Sequence, residues 1–290
     1  MSRRRTRARQ RRQGPRGAAL VKPARLIDAQ DEAHFGGKAS KLAHSLRAGL
    51  PVPPGIALGT SHVEALAQSH KEALHHLREE FRALGGPCAV RSSAIGEDSE
   101  GASFAGQHLT LLNIRDPDEV AHAVLKVRSS AHTESARAYR RRQGLDETPR
   151  VAVVVQRMIE PHCAGVMFTR HPITGENQRV IEAAWGLGES VVAGLVVPDN
   201  YTLSADGKTL RRQIGTKDLA LRSNPAGGTV EETVAEHLVE AACLHDKHLA
   251  QLHDLATKCE QHFGRGLDIE WAIAQDKLYL LQCRAMTRNR

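Results

Sequence analysis

The hydrophobic positions of this chain fall into long segments with helical spacing and short runs typical of strands. In the helical segments, apolar residues recur every three to four positions and therefore line one face. This pattern predicts helices in a stretch that opens at residues 36–38 and ends at Gly49, in the segment that carries Leu74, Leu77, Phe81 and Leu84, in residues 117–143, and within residues 231–263.

Short apolar or β-branched runs bounded by Gly, Pro, Asn or Asp predict the strands. They occupy residues 56–58, 88–91, 109–114, 151–155, 165–169, 180–185, 201–214, 267–273 and 278–281. We expect residues 165–169 to pair with 151–155. The run at 201–214 reads as a hairpin that turns at Asp206-Gly207, and the last two runs form a closing hairpin.

The length of 290 residues is more than one compact domain usually needs. Since long helices lie between short strands in both halves, we expect two lobes, residues 18–159 and 160–290. No apolar run approaches the roughly 18 residues of a membrane-spanning helix, so we expect no membrane partner. The five cysteines form no Cys-x-x-Cys pair, which is typical of the reducing cytoplasm and disfavours a structural zinc site.

The positive charge is concentrated at the N-terminus. The chain has 40 basic and 33 acidic residues, for a net charge of +7. Residues 1–17 hold eight arginines and no Lys, Asp or Glu, so the remainder is nearly neutral. We expect this Arg-rich tail to be disordered. Its role stays open between a solvated arm, a contact with nucleic acid or another polyanion, and a targeting peptide.

The closing hairpin carries the most informative polar residues. Side chains alternate along a strand, so Asp268 and Glu270 share one face, and Gln282 and Arg284 share one face of the next strand. A hairpin symmetric about Asp276 sets Glu270 opposite Gln282 and Asp268 opposite Arg284. Carboxylate and amide oxygens are ligands that Mg²⁺ takes together with substrate phosphates, and arginine suits phosphate. The alternative is a salt-bridged surface hairpin.

Two further places suit phosphate groups. Lys38 follows two glycines at a predicted helix start, where free N–H groups and the helix dipole favour an anion. Arg91-Ser92-Ser93 leaves a buried strand before a glycine-bearing loop at residues 96–106, which could close over a polyphosphate. A Walker A motif is absent, because Thr202 stands where its first glycine would be.

Nine motifs in order resemble the nucleotide-binding domain of pyruvate phosphate dikinase, phosphoenolpyruvate synthase and rifampin phosphotransferase. They are Gly36-Gly37-Lys38, Gly49-Leu50-Pro51-Val52-Pro53-Pro54-Gly55, Val90-Arg91-Ser92-Ser93-Ala94, Ser103-Phe104-Ala105-Gly106-Gln107, Val155-Gln156, Ala164-Gly165-Val166-Met167-Phe168-Thr169, Trp185-Gly186-Leu187-Gly188-Glu189, Asp268-Ile269-Glu270-Trp271 and Gln282-Cys283-Arg284. The resemblance implies an α+β, two-lobed ATP-grasp fold with ATP and Mg²⁺ in a cleft between the lobes.

The resemblance also implies a role for each matching position at the nucleotide or its metal. These are Lys38 and Arg91 at the phosphates, Gly106 and Thr110 in the loop that closes over them, Gln156 at the adenine hinge, Asp268, Glu270 and Gln282 at Mg²⁺, and Arg284 at the transferred group. Catalysis of this kind depends mostly on positioning and electrostatics, so Arg284 is expected to matter most for rate.

The family's enzymes continue into a swivelling domain with an acceptor histidine and a domain for the second substrate. Here six residues follow Arg284. Our leading hypothesis is therefore a stand-alone, cytoplasmic, ATP-binding subunit that phosphorylates a histidine on a separate swivelling protein, forms AMP, and works with a possible substrate-domain subunit. Thr60-Ser61-His62 superficially resembles the acceptor motif, but its place after Pro-Pro-Gly favours an ordinary passage from strand to helix.

Two other functions remain open from the sequence. The first is a non-catalytic nucleotide-binding or regulatory protein. The second is polyanion binding through the Arg-rich tail, with the nucleotide site secondary. A complete set of metal ligands together with Arg284 favours catalysis, since a sensor does not need a group suited to a transferring phosphoryl.

Overall fold

A computed structural model describes residues 22–95, 109–134, 137–138, 141 and 149–286. The predicted tail at residues 1–17 and the candidate residue Gly106 lie outside the described residues. The helices and strands below are those of the described part of the chain.

The first sheet is antiparallel and has five strands in the order β1-β2-β5-β3-β4. The strands are β1 (Ala24–Arg25), β2 (Gly55–Leu58), β3 (Cys88–Ala94), β4 (Thr110–Ile114) and β5 (Val151–Arg157). Four helices accompany it, together with a 3-10 turn at Leu26–Asp28: α1 (Glu32–Arg47), α2 (Thr60–Ala67), α3 (Lys71–Leu84) and α4 (Glu119–Ser130).

The second sheet is also antiparallel and has six strands in the order β13-β12-β6-β7-β8-β9. They are β6 (Cys163–Phe168), β7 (Arg179–Trp185), β8 (Asp199–Leu203), β9 (Thr209–Gln213), β12 (Leu267–Ala274) and β13 (Lys277–Ala285). A separate ribbon joins β10 (Leu219–Ser223) to β11 (Thr229–Thr233), and the helices are α5 (Glu189–Val192), α6 (Glu236–Val239) and α7 (Asp246–Phe263).

Two large apolar clusters hold these layers together. One lies between the first sheet and α2, α3 and α4, and it includes Leu77 and Val153. The other contains Leu42 of α1, Leu252 of α7 and Trp271 of β12, so it reaches both sheets. Because α1 packs against β3, β5 and β13, this helix places the two sheets next to each other. The α+β architecture expected from the sequence is confirmed.

One predicted strand pairing is wrong. Residues 165–169 do not pair with residues 151–155, because β6 lies in the second sheet between β12 and β7. The chain crosses from one sheet to the other between Arg157 and Cys163. Both runs are apolar and of strand length, and such a pattern shows that a strand is buried but not which strand is its partner.

The predicted helix at residues 117–143 is interrupted at residues 131–133, the described residues 134, 137, 138 and 141 are helical again, and residues 142–143 lie outside the described residues. Helix α4 ends at Ser130, where the N–H of Ala131 bonds back to the carbonyl of Arg128. The remaining predicted helices, the strands and both hairpins agree with the structure in type and approximate place. The apolar spacing of residues 117–143 shows which face would be buried, and it does not show where a turn interrupts the helix.

Candidate active site

The closing hairpin has the register that the sequence predicts at its polar end. Glu270 lies opposite Gln282, and Asp268 lies opposite Arg284. The expected symmetry about Asp276 is wrong, because the turn consists of Gln275 and Asp276, both with positive φ. A β-bulge between the turn and the polar end restores the predicted pairing, since Leu281 is left without a partner residue on β12.

Arg91 connects the first sheet to this hairpin. Its Nη2 donates to Oε2 of Glu270 and to Oε1 of Gln282, each at 2.8 Å. Its Nη1 donates at 2.7 Å to the carbonyl of Leu281, the bulged residue. The Arg91 side chain is 11% exposed, so these charge-assisted bonds are shielded from water. Such bonds contribute about 1.5–3 kcal/mol each, and they hold the two sheets together at this point.

Asp268 and Arg284 form a second ion pair beside the first. Nε and Nη2 of Arg284 lie 2.9 and 2.8 Å from Oδ2 of Asp268. Burial raises the pKa of Asp268, and the neighbouring Arg284 opposes this shift without cancelling it. The charged form of Asp268 is thus disfavoured by burial and stabilised by its ion pair with Arg284.

Lys38 is positioned by a close contact between α1 and β3. Gly36 interrupts the helical geometry with φ of 78°, and a Cβ there would lie 1.8 Å from the carbonyl oxygen of Ser93. The hydroxyl of Ser93 donates to the carbonyl of Phe35 and accepts from the N–H of Ala39. Lys38 is therefore fixed in the first turn after the break, with 8% of its surface exposed.

Thr110 and Gln156 lie on strands that flank Arg91. Thr110 of β4 pairs directly with Arg91, so the two side chains share one face of the sheet. On the other side, Arg91 pairs with Val154 of β5, and Gln156 follows two positions later on the same face. The Gln156 amide donates to the carbonyl of Pro53 at 3.2 Å and is buried.

Sequence reasoning assigned no role to Glu189, the first residue of α5. Burial raises the pKa of Glu189, while Arg91 lowers it and Glu270 raises it. The carboxylate therefore lies within electrostatic reach of both members of the central ion pair. Its only signal in the sequence is its place at the end of the motif at residues 185–189. The carbonyl of Leu281 gave no signal, because a backbone acceptor exposed by a bulge leaves no mark on residue type.

The donor set fits a magnesium ion that also binds phosphate. Two carboxylates and one amide oxygen share the hairpin face, and Mg²⁺ is usually held by one or two carboxylates plus substrate phosphates and water. Within the described residues, no group of three or more His, Cys, Asp and Glu could hold a metal alone. In this structure Arg91 contacts the oxygens of Glu270 and Gln282, so its guanidinium stands where a second cation would compete for them.

One open surface cavity of the described residues lies away from the candidate site. It has a volume of about 280 Å³ and is lined by Phe81, Arg82, Gly85, Gly86, Pro87, Arg115 and Pro117. None of the nine candidate positions is among these residues. At the candidate site, the contacts of Arg91 keep the two sheets close together.

Comparison with known proteins places the chain in a family. The family model described as the pyruvate phosphate dikinase AMP/ATP-binding domain matches residues 63–290. A probable phosphoenolpyruvate synthase of Archaeoglobus fulgidus is 33% identical over 313 residues, covering 91% of this chain and 41% of the relative. A rifampicin phosphotransferase of a Streptomyces species is 41% identical over 201 residues, covering 69% of this chain and 23% of the relative. The chain thus spans less than half the length of these relatives.

Solved structures resemble the chain more distantly. D-alanine–D-alanine ligase from Bacillus anthracis, complexed with ATP, gives a TM-score of 0.40 at 13% identity over 86% of this chain and 54% of that one. The Helicobacter pylori ligase gives 0.40 at 10% identity over 88% and 55%. Among the described residues, no helix is both long and apolar enough to span a membrane. Because the family model matches more than half of its length, this chain belongs to the pyruvate phosphate dikinase AMP/ATP-binding domain family.

Proposed function

We propose that this chain binds Mg-ATP between its two sheets and, with water as co-reactant, phosphorylates a histidine on a separate swivelling domain or subunit with release of AMP and inorganic phosphate. In this proposal the two sheets belong to the lobes of an ATP-grasp fold, residues 18–159 and 160–290. Membership of an AMP/ATP-binding domain family supports ATP as the nucleotide that the chain binds. The chain covers 41% and 23% of the two relatives described above, which supports a histidine-bearing domain and a possible substrate domain that act together with the ATP-binding domain.

The contact between Arg91 and the hairpin is the observation that carries this proposal. A guanidinium from one sheet reaches two candidate metal ligands on the other sheet at 2.8 Å. Phosphate groups and a metal therefore have complementary partners within a few ångströms of each other. A salt-bridged surface hairpin, the alternative left open by the sequence, would not need a buried arginine from another sheet.

Asp268, Glu270 and Gln282 would hold Mg²⁺, which when bound would neutralise phosphate charge. Arg91 would then exchange the oxygens of Glu270 and Gln282 for phosphate oxygens, which its planar guanidinium binds in a bidentate manner.

The other candidate residues would surround the nucleotide. Lys38, fixed at the helix break, would place its ammonium at the phosphates, and Thr110 would act beside Arg91 with the loop that contains Gly106. Gln156 would lie at the adenine. Arg284, held by Asp268, would stabilise charge on the transferred phosphoryl group, a contribution that is largest in the transition state.

A labelling experiment tests this function. The chain is incubated with Mg²⁺ and ATP labelled at the β-phosphate, with and without a purified candidate histidine-domain protein. We expect an acid-labile label on histidine of the partner and release of AMP only in the complete mixture. The Glu270→Ala variant should give neither product.

The same experiment separates the alternatives. Tight Mg-ATP binding without turnover in any mixture would support a nucleotide-binding or regulatory protein. If deletion of residues 1–17 abolishes function in cells while Glu270→Ala does not, polyanion binding through the Arg-rich tail would be favoured over the proposal.

A further inference from the structure

A second connection between the two sheets lies away from the proposed ligands, at Asn113 of β4. The pairing of β3 with β4 shifts by one residue, so that Leu112 and Asn113 together oppose Ala89. Asn113 has φ of 56°, a left-handed conformation that asparagine tolerates better than most residues. Bulges of this kind re-aim a side chain. Asn113 is fully buried, although it belongs to an edge strand whose other residues are half-buried.

The side chain of Asn113 is bonded to the tip of the β10–β11 ribbon. Its amide nitrogen donates to the carbonyls of Asn224 and Gly228 at 2.6 and 2.7 Å. Its amide oxygen accepts from Arg115 at 3.4 Å, and the N–H of Gly228 donates to its backbone carbonyl at 3.4 Å. Both amide N–H groups are thus used to hold the first sheet to a turn of the ribbon.

Strand β10 of the ribbon is attached to the second sheet. Leu221 of β10 bridges to Gly186, and the N–H of Leu187 donates to the Leu221 carbonyl at 2.9 Å. A Cβ at Gly186 would lie 2.3 Å from that carbonyl oxygen, so only glycine permits this approach. Arg222 donates to the carbonyl of Pro161, in the segment where the chain crosses between the sheets.

Each of the two attachments lies a few residues from the candidate site. Asn113 follows Thr110 by three positions on β4, and Thr110 pairs with Arg91. At the other end, Gly186 and Leu187 lead directly into α5 and Glu189, which lies within electrostatic reach of Arg91 and Glu270. The ribbon therefore spans the two sides of the candidate site without contributing a proposed ligand.

We propose that Asn113 is a positioning residue, and that the β10–β11 ribbon sets the position of Thr110 and Arg91 relative to the hairpin of β12 and β13. The turn of the ribbon holds β4 through Asn113, and strand β10 of the ribbon holds the second sheet through Gly186 and Leu187. Its effect on nucleotide binding rests on the function proposed above, whereas its effect on the relative position of the sheets does not.

Two variants separate the amide from the shape of the residue. Asn113→Asp keeps the size and the tolerance for positive φ but turns an oxygen toward two carbonyls. Asn113→Gly keeps the backbone conformation and removes the amide. The matched control is Asn224→Asp on the other side of the contact. Its carboxylate can still accept from the N–H of Ala226, as the amide oxygen does at 2.9 Å, and its backbone carbonyl still faces Asn113.

The test measures the distance between the sheets directly. Spin labels are placed at Lys71→Cys on α3 and Lys208→Cys in the β8–β9 turn, both exposed, while the five native cysteines are buried. Double electron–electron resonance gives the distribution of distances between the two spin labels, measured without nucleotide. We expect one narrow distribution for the unsubstituted chain and for Asn224→Asp, and a broader or shifted distribution for Asn113→Asp and Asn113→Gly. Unchanged distributions in both Asn113 variants would overturn the proposal.

Mg-ATP affinity, measured by calorimetry, is the second readout. Loss of two buried hydrogen bonds that pre-arrange the site should weaken binding about tenfold in both Asn113 variants, with the Asn224→Asp affinity unchanged. If Asn113→Gly does not fold, Asn113→Asp decides both readouts, because it preserves the volume of the side chain. If the unsubstituted chain binds no Mg-ATP, the proposed function fails, and the distance measurement still decides the role of the ribbon.

Discussion

The guanidinium of Arg91 lies 2.8 Å from the carboxylate of Glu270, and this ion pair joins the two sheets across 179 positions of the chain. Each charge of this pair is the partner of the other, so neither is left buried and unpaired. In the proposed function, Glu270 would be a ligand of Mg²⁺ and Arg91 would bind phosphate, so each member of this pair would have a partner of opposite charge in Mg-ATP.

The role proposed for Arg284 predicts a separation of binding from turnover. Arg284→Lys keeps one positive charge but loses the planar group that contacts Asp268. We expect turnover with a histidine-domain partner to fall by about 10²-fold or more, because groups that stabilise developing charge act mainly in the transition state. Mg-ATP affinity should change much less.

Phosphohistidine formation and calorimetry on the same preparation measure the two quantities. Arg212→Lys is the control, since Arg212 forms an exposed ion pair with Asp246 on the outside of the second sheet. Equal losses of affinity and turnover in Arg284→Lys would mean that this residue acts only in binding.

Gly36→Ala should lower the free energy of unfolding by more than the positive φ of residue 36 alone would explain. The added Cβ would lie 1.8 Å from the carbonyl oxygen of Ser93, so α1 or β3 has to move. Gly86→Ala is a matched control, because Gly86 has φ of 79° and open space around it. We expect a loss of unfolding free energy about 1–3 kcal/mol greater for Gly36→Ala than for Gly86→Ala, measured by urea denaturation. Equal losses would show that the contact with Ser93 is not tight in solution.

His248 predicts a pH dependence of stability near neutrality. The side chain is buried between the rings of His162 and His245, with Asp276 at 3.5 Å. Burial lowers the pKa of His248, an effect that Asp276 opposes and the two histidines reinforce. The folded state therefore favours the neutral ring. Its contribution to stability is complete above the unfolded pKa of about 6.5 and is lost as the pH falls through the lower folded value.

The free energy of unfolding should accordingly fall as the pH drops below the unfolded pKa of about 6.5, and His248→Gln should remove part of this fall. Comparison with His75→Gln, an exposed histidine of α3, isolates the buried ring from the other titrating groups. Identical pH dependence in His248→Gln and the unsubstituted chain would contradict this assignment.

The sequence predicts the ligand face of the hairpin because strand alternation needs no knowledge of distant residues. Asp268 and Glu270 are two positions apart, so they must share a face wherever the strand lies. The register at Glu270 and Gln282 was also predicted, but its actual basis is a two-residue turn combined with a bulge at Leu281. The two-residue turn shifts the pairing by one residue, and the bulge at Leu281 shifts it back, so the polar end has the register that symmetry about Asp276 would give.

The contacts between the sheets could not be predicted in this way. Nothing in local spacing shows that Arg91 reaches Glu270, or that Asn113 reaches the ribbon, because each contact depends on how separately folded layers pack. The same limit explains the wrong partner assigned to residues 165–169. The positive φ of Asn113 and the bulge that orients it leave only a weak mark on the sequence, since asparagine also occurs at ordinary turns.

Magnesium-dependent binding of ATP by Glu270→Gln tests the central claim most directly. This substitution preserves size and removes one carboxylate ligand together with the ion pair to Arg91. Glu64→Gln is the matched control, because Glu64 of α2 forms a partly exposed ion pair with Arg128 of α4 at 2.8 Å, away from the candidate site. By calorimetry, the unsubstituted chain and Glu64→Gln should bind ATP much more tightly with Mg²⁺ than without it, and Glu270→Gln should lose most of that difference, about tenfold or more. Magnesium dependence that is equal in all three proteins, or absent from the unsubstituted chain, would contradict the account.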